Sequence, residues 1–170
     1  MAYENNYVEC LVASKGSPVV RILSYLSLVL AVIFFLSSIL TVLGVVGLIL
    51  CVIAGVAYYF LSLNANIEFE YQYCEREITI DKILNKSKRK NVGKYEVEHI
   101  EVMAPSRSYH LDEFRNKTLR TVDYSARDNS RQPDPTYTFI YDGKEKVIFE
   151  PTSEFVAAVK NVAPRKVFTD

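Results

Sequence analysis

The sequence predicts an α+β membrane protein: an N-terminal transmembrane helical hairpin, then a small antiparallel β barrel or sandwich closed by a C-terminal helix. Three observations predict it. Residues 22–63 contain no Asp, Glu, Lys, Arg or His. From residue 67 the apolar period becomes two, with Ile67-Glu-Phe-Glu-Tyr-Gln-Tyr73 alternating strictly. Near the end, Phe155, Val156, Val159 and Val162 return to helical spacing between Thr152 and Pro164.

The uncharged stretch would be roughly 63 Å long as one helix, about twice the ~30 Å hydrocarbon core of a bilayer. It therefore divides into two spans, at about Pro18–Leu40 and 45–63. The reversal falls between Ser38 and Gly44, and Thr41 and Gly44 suit it because glycine takes positive φ cheaply. Ser17-Pro18 is a helix start signal, and Tyr58 and Tyr59 sit where aromatic rings favour the membrane interface. Ser24, Ser27, Ala31 and Ser38 share one face of the first span, and Gly47, Cys51 and Gly55 recur at i, i+4, i+8 in the second. Small residues let membrane helices approach closely. They serve either packing within the hairpin or a homo-oligomer seam through the Gly47–Gly55 face. No Asp, Glu, Lys, Arg or His lies inside the membrane over residues 22–63, which gives a proton relay or ion pathway little support.

Lys15 and Arg21 precede the hairpin, Lys86, Lys88, Arg89, Lys90 and Lys94 follow it, and the connecting turn is uncharged. The positive-inside rule places both termini in the cytoplasm and the chain in the cell membrane as a multi-pass protein. The sequons at Asn85 and Asn116 would then be silent. Residues 1–17 form a juxtamembrane segment, 18–64 the hairpin, and 65–170 a cytoplasmic β-rich domain. In the first segment Tyr7, Val8, Leu11 and Val12 fall at i, i+1, i+4, i+5. That spacing predicts a short amphipathic helix at the membrane surface, or else a mildly ordered tail. Glu4 and Glu9 and the length of the apolar region exclude a secretory signal.

Charge and cysteines narrow the class. The chain has 20 acidic and 20 basic residues. They balance within each segment, so the basic excess of a nucleic-acid binder is missing. Cys10, Cys51 and Cys74 form no close pair, which fits a reducing compartment.

About seven antiparallel strands are expected after the hairpin. They run over 67–73, 77–84, 91–95, 99–104, 118–124, 137–141 and 146–149. Cys74–Arg76, 85–89 and Asp142-Gly143 form turns, and a polar loop spans 126–135. His99 reads as an ordinary strand residue, and 110–115 as a short helix in a long loop. The order of elements resembles the pleckstrin-homology-like superfold placed after two spans. The runs Asp81-Lys-Ile-Leu-Asn-Lys-Ser-Lys-Arg-Lys90 and Pro164-Arg-Lys-Val-Phe168 resemble an uncharacterised family of small two-span membrane proteins from Gram-positive bacteria. That likeness implies no particular activity, and the phosphoinositide-binding residues of eukaryotic relatives have no counterpart here.

Catalytic motifs are absent: no H-E-x-x-H, C-x-x-C, G-x-S-x-G or P-loop pattern occurs. No cofactor or metal is implied. The loop 106–114 gathers Ser106, Ser108, Tyr109, His110, Asp112 and Glu113. A hydrolase could use such groups, but a solvated loop has the same composition.

The basic cluster Lys86, Lys88, Arg89 and Lys90 is the sharpest feature. Only residues 64–66 separate the second span from the first strand, so that strand starts at the membrane. Two strands of similar length, about 23 Å each, bring the turn back to head-group level. There each basic residue would contribute about 1 kcal/mol with anionic lipid; otherwise the cluster is a solvated hairpin tip. The expected function is therefore a non-catalytic membrane-anchored binding or scaffolding module. Its expected partners are membrane lipids, with anionic lipid as one option, and an unidentified protein. The alternatives are a subunit or regulator of a membrane complex acting through its spans, and a membrane-bound hydrolase built on His110.

Overall fold

In the computed structural model, the structure describes residues 7–14, 18–40, 44–128 and 130–169. The chain divides into a helical unit and a β unit.

The helical unit contains α1 (Pro18–Leu40) and α2 (Gly44–Ala65), packed as a hairpin. Both helices are long and apolar enough to cross a membrane. Their inward face is a stripe of small residues. Ser24 and Gly47 are buried, and Ser27, Ala31, Ser38, Cys51 and Ala54 are half-buried. The expected reversal lies partly outside the described residues, because it includes Thr41. Gly44 does not adopt positive φ; it opens α2, and its carbonyl accepts from Ser38 Oγ at 2.7 Å. The unit also includes residues 84–88.

The β unit is discontinuous in sequence. Its first strand, β1 (Val8–Ser14), precedes α1 and lies at the edge of a sheet of order β1-β2-β3-β4. This corrects the helix expected at 8–12 and the separate N-terminal segment. The 8–12 pattern satisfies a helical stripe, but the neighbouring strand β2 offers backbone donors and acceptors, and that pairing decides the conformation. The helical hairpin is thus an insertion between adjacent strands of one sheet. β2 (Ile67–Cys74) and β3 (Glu77–Leu84) are joined by Glu75-Arg76, both at positive φ as a two-residue hairpin demands. β4 (Lys88–Glu96) follows after Asn85–Ser87, where Asn85 and Lys86 also take positive φ.

The second sheet has the order β5-β7-β8-β6, built from β5 (Ile100–Pro105), β6 (Arg120–Asp123), β7 (Tyr137–Tyr141) and β8 (Glu145–Phe149). Asp142 and Gly143 turn β7 into β8 at positive φ. One strand departs from the expected all-antiparallel arrangement: β6 runs parallel to β8, with Arg120 opposite Glu145 and Asp123 opposite Ile148. The long excursion through residues 106–119 brings the chain back along that edge, as a parallel neighbour requires. His99 is not in a strand. It ends the 3₁₀ turn Val97–His99, where its Nδ1 lies 2.9 Å from Asp142.

Aromatic side chains join the layers. Tyr71 of β2 meets Phe149 of β8 edge-on at 5.4 Å, and Tyr95 of β4 meets Phe139 of β7 at 5.1 Å. Phe155 of α3 (Ser153–Val162) stands 6.0 Å from both Tyr73 and Phe149. Thr152 caps α3 by accepting from the Phe155 amide. The buried face of α3 is Phe155, Val156, Ala158 and Val159, while Val162, expected on that face, is half-buried. Beyond Pro164 the tail hydrogen-bonds along β5, with Phe168 N donating to Met103 O at 2.8 Å and Met103 N to Lys166 O at 2.8 Å. It thereby covers the β5 edge of the second sheet.

Candidate functional site

Among the described residues, polar side chains gather in three places that could carry function: the open end of the helical hairpin, the outer face of the first sheet, and the loop after β5.

At the open end of the hairpin, α2 runs to Ala65, so Asn66 alone stands between it and β2. The turn after β3 returns to this point. The Asn85 amide donates to Asn66 O at 2.8 Å, and Asn66 Nδ2 donates to Asn85 Oδ1 at 3.4 Å. Lys88 places its ammonium 5.4 Å from the Tyr59 ring centroid, within cation–π range. β2 and β3 have equal lengths of eight residues each. Equal lengths out and back therefore return the turn to the helix end. Lys86 and Lys88 belong to the helical unit; Arg89 and Lys90 belong to the β unit.

Arg89 has a different engagement. Its Nη2 lies 2.6 Å from Glu70 Oε2 and its Nε 3.9 Å from Asp81 Oδ2. Glu70 and Asp81 are both buried. Asn91 Nδ2 also donates to Asp81 Oδ1 at 2.9 Å. The Glu70 Oε2 contact is an ion pair without hydrogen-bond alignment, so that buried oxygen has no hydrogen-bond partner among the described residues. Across the strand boundary, Glu70 hydrogen-bonds to Glu9 of β1, and Tyr7 Oη donates to Glu9 Oε2 at 2.7 Å. Burial, and then the bond to Glu9, hold the Glu70 carboxyl above the usual carboxylate range. The same bond holds Glu9 below it. Sequence reasoning missed this cluster, because alternation over 67–73 identifies a strand but not what its glutamates meet. The signal lay in the pairing of β1 with β2, which brings Glu9 to Glu70.

The loop after β5 does not assemble as a hydrolase would need. Ser108 caps the 3₁₀ segment Tyr109–Phe114 by accepting from the His110 amide at 3.2 Å. The His110 ring stacks on Phe168 at 3.6 Å, while Asp112 pairs with Arg115 at 3.0 Å and Glu113 with Lys117 at 3.1 Å. Ser106 Oγ is 2.8 Å from Thr138 Oγ1. Each potential nucleophile or base has a structural partner.

Within the hairpin, a Cβ on Gly47 would lie 3.0 Å from Ser38 Cβ and 3.2 Å from Phe34 O; one on Gly55 would meet nothing within 4 Å. Close approach of the backbones therefore occurs at Gly47. Cys51 is half-buried, Cys10 buried and Cys74 exposed. Among the described residues, no three His, Cys, Asp or Glu side chains gather as a metal would require.

The sequence that folds into these two sheets, the closing helix and the two apolar helices matches a family model. The family described as Bacterial PH-like domain (DUF6106) covers residues 4–169. The chain belongs to that family. The match spans β1 and the hairpin. No curated protein and no solved structure matches the chain.

Proposed function

We propose that this PH-like protein is a non-catalytic, membrane-anchored binding or scaffolding module at the cytoplasmic face of the cell membrane. One observation carries the reading: the 84–88 turn folds against the open end of two helices long enough to cross a bilayer. Lys86 and Lys88 then lie at head-group level, next to Lys90 in sequence. Each contributes about 1 kcal/mol with anionic lipid. Arg89 contributes less, because Glu70 and Asp81 already hold it.

The test uses the full chain in phosphatidylglycerol or phosphatidylcholine nanodiscs. A fluorophore at Ser87→Cys, in a Cys51→Ala, Cys74→Ser background, is quenched by head-group spin-labelled lipid. Quenching should be stronger with phosphatidylglycerol. It should weaken near 1 M salt, where the screening length falls to about 3 Å, and in a Lys86→Gln, Lys88→Gln, Lys90→Gln variant. Identical quenching under all these conditions would overturn the lipid contact.

A second reading has its own support. Gly55 has open space around it on a helix whose remaining surface is apolar and exposed. That suits a contact between spans, either with another copy or with a membrane complex that this chain regulates.

A further inference from the structure

We propose that the cleft at the open end of the hairpin binds the head group of one anionic phospholipid, with Arg21 taking the phosphodiester. The cleft encloses about 430 Å³ and is lined by Arg21, Tyr25, Tyr58, Ser62, Asn66 and Asn85, among others. That volume falls in the range of small-molecule pockets, about 300–1,000 Å³. The proposal rests on the membrane-anchored reading, since acyl chains need the hairpin to stand in a bilayer. It concerns a different surface from the lysine turn.

Charge points to an anion. Arg21 is the charged residue of the lining, and no acid shares the cleft with it. Arg76, Arg89, Arg107, Arg115, Arg120, Arg127 and Arg131 are ion-paired. Arg21 has no acidic partner among the described residues. A guanidinium offers a fork of N–H donors that fits two phosphate oxygens at once.

Hydrogen-bonding capacity points to a head group that carries hydroxyls. Ser24 Oγ donates to Arg21 O at 2.7 Å and Ser62 Oγ donates to Tyr59 O at 2.9 Å. Their protons are used, so each hydroxyl offers lone pairs to an incoming O–H. Asn66 and Asn85 hold each other by a long 3.4 Å side-chain bond that a better partner can replace. A glycerol-type head group supplies such hydroxyls next to its phosphate. Tyr25 and Tyr58 stand about two turns inside the helices, where phenol rings sit at the hydrocarbon boundary. Beyond them both helices present exposed Leu, Ile and Val, a surface for acyl chains. A soluble phosphate would gain nothing from that surface.

The experiment uses the full chain. Membranes are first washed with alkaline carbonate, and the retained protein is extracted in mild detergent. Bound phosphatidylglycerol and phosphatidylcholine are then counted by native mass spectrometry from an equimolar mixture. One phosphatidylglycerol should persist on the wild type, in preference to phosphatidylcholine. Arg21→Gln should weaken its retention about tenfold or more, the scale of losing a charge-assisted pair. Asn66→Ala with Asn85→Ala should weaken it less, and Arg165→Gln not at all. Millimolar inorganic phosphate should not displace the lipid. Unchanged retention in Arg21→Gln, or displacement by inorganic phosphate, would overturn the head-group site while leaving the anchored module intact. Release of the chain by carbonate would overturn the membrane reading itself.

Discussion

Glu70 shows what a single buried carboxyl does to this fold. Its folded pKa is raised, so the stability it contributes is present at low pH and lost as pH rises through the folded value. Glu9 is lowered, so its contribution is present above the unfolded value and lost as pH falls. Glu70→Gln keeps the neutral form at every pH. The wild type should therefore lose stability relative to Glu70→Gln as pH rises from about 4 to 8, across the carboxylate range and above. For Glu9→Gln the difference should appear at lower pH, with the wild type losing stability relative to the variant as pH falls below about 4.3. Thermal unfolding of the full chain in detergent reads both, and pH-independent differences would contradict the opposite shifts of the two carboxyls. Phe155 tests the core more simply. It is fully buried between Tyr73 and Phe149. Phe155→Ala should cost about 3–5 kcal/mol, and a loss under about 1 kcal/mol, far below that cost, would show that the helix does not close the sandwich.

At the scale of elements, local pattern and distant pairing divide what the sequence reveals. The ranges of α1, β3 and β7 are legible to the residue, because their apolar periods are clean and turn residues bound them. β1 is not. Val8-Glu-Cys-Leu-Val-Ala-Ser14 carries a helical pattern and a strand pattern at once. Its partner β2 lies beyond the whole hairpin, so only tertiary pairing decides. The parallel strand β6 and the acid cluster escape for the same reason, since both depend on neighbours far away in sequence. The lysine turn was legible because strand lengths alone return it to the helix end. A consequence follows for truncation. Residues 65–170 alone lack β1 and should be less stable than a variant in which 15–66 is replaced by a Gly/Ser linker. Equal stability of the two by chemical denaturation would show β1 to be dispensable. Within the hairpin, Gly47→Ala must shift Ser38 or Phe34, whereas Gly55→Ala meets nothing. The first should destabilise the detergent-solubilised hairpin and the second should not. Equal melting shifts would contradict the packing at Gly47.

For the molecule as a whole, the insertion constrains topology. β1 leads into α1 and β2 leads out of α2, and the two strands are hydrogen-bonded neighbours in one sheet. The chain thus leaves and re-enters the same sheet, and both ends of the hairpin must open on one side of a membrane. Under the positive-inside rule, Lys15, Arg21, Lys86 and Lys88, next to the spans in sequence, predict that this side is the cytoplasm, and the uncharged residues between the spans predict the other side. The most direct test fuses a reporter before Met1 and, separately, after Asp170. One reporter is a fluorescent protein that matures in the cytoplasm, the other a phosphatase active outside. The account predicts fluorescence and phosphatase silence at both ends. Ends on opposite sides, or phosphatase activity at both, would contradict a two-span hairpin inserted into a cytoplasmic PH-like domain.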